Sequence, residues 1–385
     1  MSNTLTGLIP TLYTALDQVS RELIGFIPNV SVNAEASSAA VGQTVRAPVV
    51  PQGSLEDITP GNDPADSGDQ TIGYTDVQIT KSKAYPIRWT GEEQLSVSRF
   101  GTVNTILADQ FTQGFRTLAN AVEADLGGLY TKMARAYGTA GTTPFGTADN
   151  HTDWAGANQV LDELGAPQEG RIMIVNSAAR AKVEGIQSGL FKVNEAGDGG
   201  ALLRNREMRS IHGFVMGYSA GVQAHTKGAG TGYDANGGEP VGETDIVLDG
   251  GTVNTTGIKA GDVVTFAGDA NKYIVNTGLV ATDGTMVLNE PGLAETLADT
   301  VEMTIGNSYS ANMFFHRNAL LLAARAPAMP SGGDAADDVM TLTDPLSGLS
   351  FQVALYRQYR RIKYEIGLAW GVAAPNGKHG GILLG

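Results

Sequence analysis

Cysteine is absent from the 385 residues. Disulfides, thiol catalysis and thiolate metal sites are therefore excluded, and such a chain can fold in a reducing cytoplasm. Charge is sparse, at 17% of residues, and unbalanced: 26 Lys and Arg stand against 40 Asp and Glu, a net charge of -14. That is the wrong sign for gripping DNA or RNA, whose phosphates it repels. No apolar run reaches the roughly 20 residues that a membrane-spanning helix needs. A secretion signal is not expected either, because the first basic residue is Arg21 and Asp17 interrupts the apolar positions, so the chain reads as soluble. Turn formers, by contrast, abound. Fifty glycines and fifteen prolines predict a strand-rich α+β chain of about two domains with appendages.

The stretch around which the rest is organised is 102–137. Val103, Leu107, Phe111, Phe115, Leu118, Val122, Leu126, Leu129 and Met133 recur in steps of three and four, one apolar stripe on a helix of about 35 residues and roughly 50 Å. Gly114, Gly127 and Gly128 each cost it about 1 kcal/mol, so packing along the stripe must hold it. Ahead of it, 10–24 reads as a short amphipathic helix with Pro10 in its first turn and Leu12, Leu16, Val19 and Leu23 on one side, packed either on its own chain or on a neighbour.

Between these helices the period changes to two. Residues 44–50 form one extended arm, and Val77, Ile79, Tyr85, Ile87 and Trp89 mark the returning one, with Lys81, Lys83 and Arg88 adding charge. An acidic, turn-rich tip holding Glu56, Asp57, Asp63, Asp66 and Asp69 joins them. A two-stranded arm is marginal alone, which calls for a second subunit beneath it.

After a connection at 138–150, helices at 153–164 and 177–185 flank a buried strand at 171–175, with Asn176 or Ser177 as a cap. Residues 202–216 carry Arg204, Arg206 and Arg209, a phosphate-binding cluster or, more simply, a salt-bridged patch. From 228 to 305 short strands recur at 245–248, 262–266, 273–275, 279–281, 285–288 and 301–305, with Asp283-Gly284 as a hairpin turn. This is the pattern of a small antiparallel barrel inserted into the larger domain. Residues 312–326 return to the host, long alternating strands follow through Phe351, Leu355, Ile362, Ile366 and Trp370, and 371–385 reads as a trailing end.

Chemical motifs are few. Gly217, Ser219 and Gly221 match the nucleophile elbow after a strand-like 214–216, but the mechanism needs a helix directly after the serine, and turn residues follow instead. Gly228, Gly230 and Gly232 lack the helix that a phosphate loop requires and read as a flexible entrance to the inserted barrel. His151, His212, His225, His316 and His379 are scattered, without metal-ligand spacing, and no calcium loop occurs. No catalytic, cofactor-binding or metal site is expected.

The order of arm, long helix, α+β domain with a strand-rich insertion, and return to sheet resembles the major capsid proteins of tailed bacteriophages. Residues 255–268 (TTGIKAGDVVTFAG), 312–320 (NMFFHRNAL) and 366–372 (IGLAWGV) are similar to the insertion segment, the re-entering core strand and the closing strand of coat proteins carrying an inserted β domain. The resemblance implies an N-terminal helical arm at 1–28, an extended hairpin loop and the start of a peripheral domain at 29–100, and a spine helix with peripheral domain at 101–150. An axial α+β domain at 151–227, an inserted β-barrel domain at 228–305, and a return to the axial and peripheral domains at 306–385 complete it. The hairpin, at about 42–91, would lie over a neighbouring subunit.

The implied function is assembly into an icosahedral shell of hexamers and pentamers, in the host bacterial cytoplasm, with a scaffolding protein and a portal. Packaged DNA would be enclosed without sequence-specific binding, no membrane is involved, and the spine glycines are places where a bend could change as the shell expands. Lys81, Lys83 and Arg88 are then the candidate inter-subunit contacts, through salt bridges rather than a lysine-asparagine isopeptide bond. Two competing readings are an encapsulin-like compartment of a cell and a serine hydrolase using Ser219.

Overall fold

The stripe Leu107, Phe111, Phe115, Leu118, Val122 and Leu126 is buried along a 25-residue helix, and both sheets of the body are laid out against it or beside it. A computed structural model of the chain describes residues 8–22, 24–34, 38–49, 73–98, 103–187, 210–344 and 347–385. The acidic tip between 50 and 72 and the cluster Arg204, Arg206 and Arg209 lie outside the described residues.

The N-terminal part runs α1 (Ile9–Glu22), β1 (Ser31–Ala34), β2 (Thr44–Val49), β3 (Gly73–Gln78), β4 (Lys81–Thr90), α2 (Gly91–Ser98) and α3 (Val103–Gly127). The middle follows with β5 (Arg135–Tyr137), α4 (Thr152–Glu163), β6 (Arg171–Val175), α5 (Ser177–Ile186), β7 (Ser210–Ile211), β8 (Phe214–Tyr218) and β9 (Ala224–His225). Six short strands come next: β10 (Tyr233–Ala235), β11 (Asp245–Asp249), β12 (Val263–Phe266), β13 (Tyr273–Thr277), β14 (Gly284–Leu288) and β15 (Glu302–Ile305). Last are β16 (Tyr309–His316), β17 (Leu321–Arg325), β18 (Asp338–Thr343), β19 (Ser350–Gln358), β20 (Arg361–Ala373) and β21 (Gly380–Leu384).

Helix α3 lies on a six-stranded sheet whose spine is β20. One side of β20 pairs with β4 over ten residues, the other with β19 and then β17, while β18 and β1 extend the sheet. Phe111 meets Tyr364 edge-on at 5.5 Å between ring centroids, and Phe115 meets Phe351 at 5.1 Å. Each such buried ring contributes about 2 kcal/mol, more than the cost of a helix glycine. Gly114 is where the helix comes closest: a Cβ there would stand 2.7 Å from Ile366 Cδ1 and 2.9 Å from Tyr85 Cδ1.

The expected helix to 137 stops ten residues early. A Cβ at Gly127 would lie 2.1 Å from the Gly221 carbonyl, so the backbone passes directly against that turn. Residues Gly128–Lys132 then tighten into a 3-10 turn, and 135–137 are claimed as β5 by pairing with β13 and β21. Sheet pairing has overridden a periodicity that runs on through Leu129 and Met133.

The second sheet carries β5, β21, β16, β6, β8 and β7 in that order, and β6 and β8 run parallel. Helices α4 and α5 cover one face, where Trp154, Leu161 and Val183 pack with Met173, Val175, Phe314 and Leu383. The opposite face joins the α1 and α3 core through Ile172, Ile174, Met313, Phe315, Ile382 and Leu384. Asn176 caps α5 as expected, its side chain accepting from the Ala179 amide at 2.8 Å. Residues 371–385 are not a trailing end. Every residue of β21 is buried, between β5 and β16.

Strands β12, β15, β10, β11, β14 and β13 pair antiparallel in turn, and β12 pairs again with β13, so the six close on themselves. Tyr233, Ile246, Leu248, Val264, Phe266, Tyr273, Met286 and Met303 fill the interior. Residues 279–281, expected as a strand, are not one, and β10, unexpected, takes a place in the ring. A single ladder position, Tyr273 opposite Arg135, joins this ring to β5 of the larger sheet.

Candidate assembly surfaces

Strands β2 and β3 pair in register from Thr44 opposite Gln78 to Val49 opposite Gly73, and among the described residues join no other sheet. Pro48 opposite Tyr74 is tolerated because no third described strand pairs with the ribbon. Tyr74 is 61% exposed. Its root is anchored: Val77 and Ile79 are buried against Leu321, Ala323 and Ala369, and half-buried Val45 packs beside them. A ribbon of two strands with exposed faces is marginal by itself in water.

The returning arm is shorter than its sequence implies. Ile79 and Thr80 carry the chain from the ribbon into the six-stranded sheet, where the Thr80 amide donates to the Trp370 carbonyl at 3.1 Å. Lys81, Lys83 and Arg88 therefore sit on β4 and not on the arm. Lys81 Nζ lies 2.6 Å from Asp125 Oδ1, while Trp370 Nε1 donates to Asp125 Oδ2 at 2.8 Å, so this lysine fastens β4 to α3 within its own chain. Lys83 and Arg88 are exposed, opposite Leu368 and Lys363. Among the described residues strand β4 pairs only with β20, and charges with Pro86 on its other edge discourage indiscriminate strand addition.

Helix α1 packs on its own chain. Leu12, Ala15, Leu16 and Val19 are buried in the α3 core, Glu22 takes two hydrogen bonds from the Arg116 guanidinium at 2.8 Å each, and Ser20 Oγ donates to Asp344 at 2.5 Å. The alternative, a helix lying on a neighbour, is not what these contacts describe.

Ser219 is buried and its Oγ donates to Glu123 Oε2 at 2.6 Å. Glu123 also accepts from the amides of Phe26, at 2.9 Å, and Ile27, at 2.8 Å. Burial holds this carboxyl above its ordinary range, against the pull of the Ile27, Ser219 and Phe26 hydrogen bonds. The serine thus faces a carboxyl group instead of an imidazole, and no helix follows it. The cluster ties α3, the turn after α1 and the turn after β8 together.

The glycines after β9 are not a flexible entrance. A Cβ at Gly228 would stand 2.2 Å from the Gly257 carbonyl, and the Gly228 amide donates to Asp262 at 2.9 Å. Fully buried Asp262 also accepts from the Lys259 amide at 2.7 Å and pairs with His225 Nε2 at 2.8 Å. The other ring nitrogen, Nδ1, lies 2.9 Å from the Tyr130 hydroxyl, so the imidazole bridges Asp262 and Tyr130. This network locks the closed ring of strands to the body.

The other histidines, scattered in sequence, meet in pairs. His151 and His212 lie 4.8 Å apart between ring centroids, beside Trp154, and His316 and His379 lie 6.4 Å apart. Burial lowers His212, His316 and His379 below the ordinary histidine value, a neighbouring histidine adding to the effect at His212 and His379. Among the described residues no three potential ligands gather as a metal site.

A cleft of about 680 Å³ opens between β5, α4 and the chain before β13, lined by Tyr137, Thr143, Asp153, Asn271 and Lys272. Arg135 at its floor pairs with Glu163 at 2.9 Å, and Lys272, which burial lowers from the usual lysine value, donates to the Gly138 carbonyl. These charges serve the junction of two parts of one chain. Sequence reasoning missed the cleft and the Glu123 cluster, in which Glu123 lies 96 positions from Ser219 and from Ile27.

No family model matches the chain. No curated protein matches it. Among solved structures it is similar to one of Mycobacterium phage Che8, at 13% identity and a TM-score of 0.45 over 91% of this chain and 92% of that one. It is similar to the asymmetric unit of the bacteriophage PhiM1 mature capsid, at 10% identity and 0.45 over 93% and 86%. A virus-like particle from Pyrococcus furiosus gives 10% identity and 0.40 over 96% of both chains.

Proposed function

We propose that this chain is the major capsid protein of a tailed bacteriophage, assembling with copies of itself as hexamers and pentamers of an icosahedral shell around double-stranded DNA. The observation that carries this reading is the β2–β3 ribbon, a separate two-stranded sheet whose exposed Arg46, Tyr74 and Asp76 find no covering surface among the described residues. The sequence resemblance described above gives the same assignment. Net charge of -14 suits a container that must not bind what it encloses.

In this reading α3 is the spine helix, the six-stranded sheet the peripheral domain, the sheet around β6 and β21 the axial domain, and 228–305 an inserted barrel. A scaffolding protein and a portal would take part in assembly within the host bacterial cytoplasm. The buried Ser219–Glu123 pair speaks for a structural role of that serine, against the hydrolase alternative.

Negative-stain microscopy of the purified chain should show shells or shell fragments. Deleting 56–70 should leave a folded monomer that no longer assembles; a deleted chain that cannot fold would place the segment in the core and end the reading. DNA inside native particles, instead of a cargo enzyme, separates a phage head from an encapsulin-like compartment.

A further inference from the structure

After β16 the chain passes from the second sheet to the six-stranded sheet once and returns once. It leaves through the 3-10 turn Arg317–Ala319, between β16 and β17, and comes back through the 3-10 turn Gly377–His379, between β20 and β21. The two turns meet. His316, which caps the first, and His379, which ends the second, stand edge to face at 6.4 Å between ring centroids, and Asn376 Nδ2 reaches the Asn318 carbonyl at 3.5 Å. His316 is held as a neutral ring: its Nδ1 accepts from the Asn318 amide at 3.3 Å, while the other ring nitrogen gives its hydrogen to the Glu169 carbonyl. An imidazolium would point a second N–H at the very amide it now accepts from.

Charges around the pair have one sign. Arg171 of β6 faces His316 and Lys378 faces His379, and among the described residues no carboxylate acts on either ring. Asp162 is taken by Arg171 at 2.5 Å, Arg317 and Lys378 are exposed, and Lys132, whose carbonyl the backbone at Gly377 passes against, turns its ammonium to Asn276 at 2.6 Å. Protonating either ring therefore adds a cation to a cationic crossing.

We propose that His316 and His379 form an acid-released latch between the two crossings: as neutral rings they hold the turns together, and protonation drives the turns apart and loosens the joint between the sheets. Burial, with Arg171 at His316 and Lys378 and His316 at His379, keeps both rings below the ordinary 6.5, against the pull of the Glu169 carbonyl on His316. The latch is closed above that value. As pH falls through it, an opened joint takes up protons that the closed one refuses, and the stabilisation is lost. At about pH 5.5, a ring that takes its proton near 6.5 once released favours the open joint about tenfold. Both rings are half-buried and neither lies in a hydrophobic core, so the opening is local. The latch needs only the folded chain, and it goes beyond the shell reading without depending on it.

The test is hydrogen exchange on the full-length chain, read by mass spectrometry and corrected for the intrinsic pH dependence of exchange. Between about pH 7.5 and about pH 5.5, peptides covering 314–320 and 374–380 should lose about tenfold of their protection while peptides from α3 keep theirs. His316→Asn combined with His379→Gln should abolish the loss, because asparagine still caps the turn and neither new side chain titrates. Should that combination unfold the chain, His379→Gln alone, which leaves the Asn318 cap in place, must still shrink the loss. Full protection of the wild-type turns in acid, or an equal loss in the variants, overturns the latch. A loss shared by α3 overturns it as well, since that is general unfolding. A chain that forms no shells but shows the expected exchange keeps the latch and defeats only the shell reading.

Discussion

Glu123 and Ser219 lie 2.6 Å apart, oxygen to oxygen, on two elements separated by almost a hundred residues, and the same carboxyl receives the Phe26 and Ile27 amides. One buried group therefore holds three chain segments. Its carboxyl is raised above the ordinary 4.5, so between that value and the raised one the folded chain keeps a proton that the unfolded chain has released. The contribution of this group is fully present at acid pH and is lost as pH rises through the raised value. Glu123→Gln, which cannot ionise, should gain Tm relative to wild type as pH rises from about 4 to about 8. Parallel Tm curves would show that the carboxyl does not titrate there. Glu123→Ala, which strands two buried amides, should cost about 3 kcal/mol in denaturant unfolding.

Gly127 and Gly128 are neighbours with opposite demands. A methyl group at Gly127 meets the Gly221 carbonyl, whereas nothing lies within 4 Å of one at Gly128. Gly127→Ala should destabilise by about 2 kcal/mol, and Gly128→Ala should be neutral or stabilise by up to about 1 kcal/mol. Equal Tm shifts for the two variants would contradict the packing described.

Asp262 satisfies the Gly228 and Lys259 amides and His225 from a fully buried position. Asp262→Ala should cost about 3 kcal/mol or more and loosen the junction before the body. Hydrogen exchange at the Gly228 and Lys259 amides is the readout. Unchanged protection at both would mean the junction is held by something else.

A chain ending at Asn376 removes β21 from between β5 and β16. It should fail to give a cooperative thermal transition, because β5 and β16 each lose one of their ladders and both cores lose Ile382, Leu383 or Leu384. A truncated chain melting like the full one would show the strand to be dispensable.

Where a pattern was local, the sequence was readable. The stripe of α3, the strand Arg171–Val175 and the Asn176 cap lie where spacing and side-chain chemistry put them. Strand β21 was hidden because both its faces are buried: Ile382 and Leu384 serve one core and Leu383 the other, so no polar alternation marks it. The split between β3 and β4 was hidden for a different reason, since Val77, Ile79, Tyr85 and Ile87 alternate straight through the point where the strand changes partner. Lys81 looked available on an arm because its partner, Asp125, is 44 positions away. The histidine pairs and the Asp262 network depend on contacts of the same kind, which no spacing records.

The placement of β21 has a consequence for synthesis. Strands β5 and β16 emerge from the ribosome well before residues 380–384, and until those five arrive the sheet between them has a gap one strand wide. A growing chain therefore offers two bare ladders, open to any passing strand, until residues 380–384 shut them.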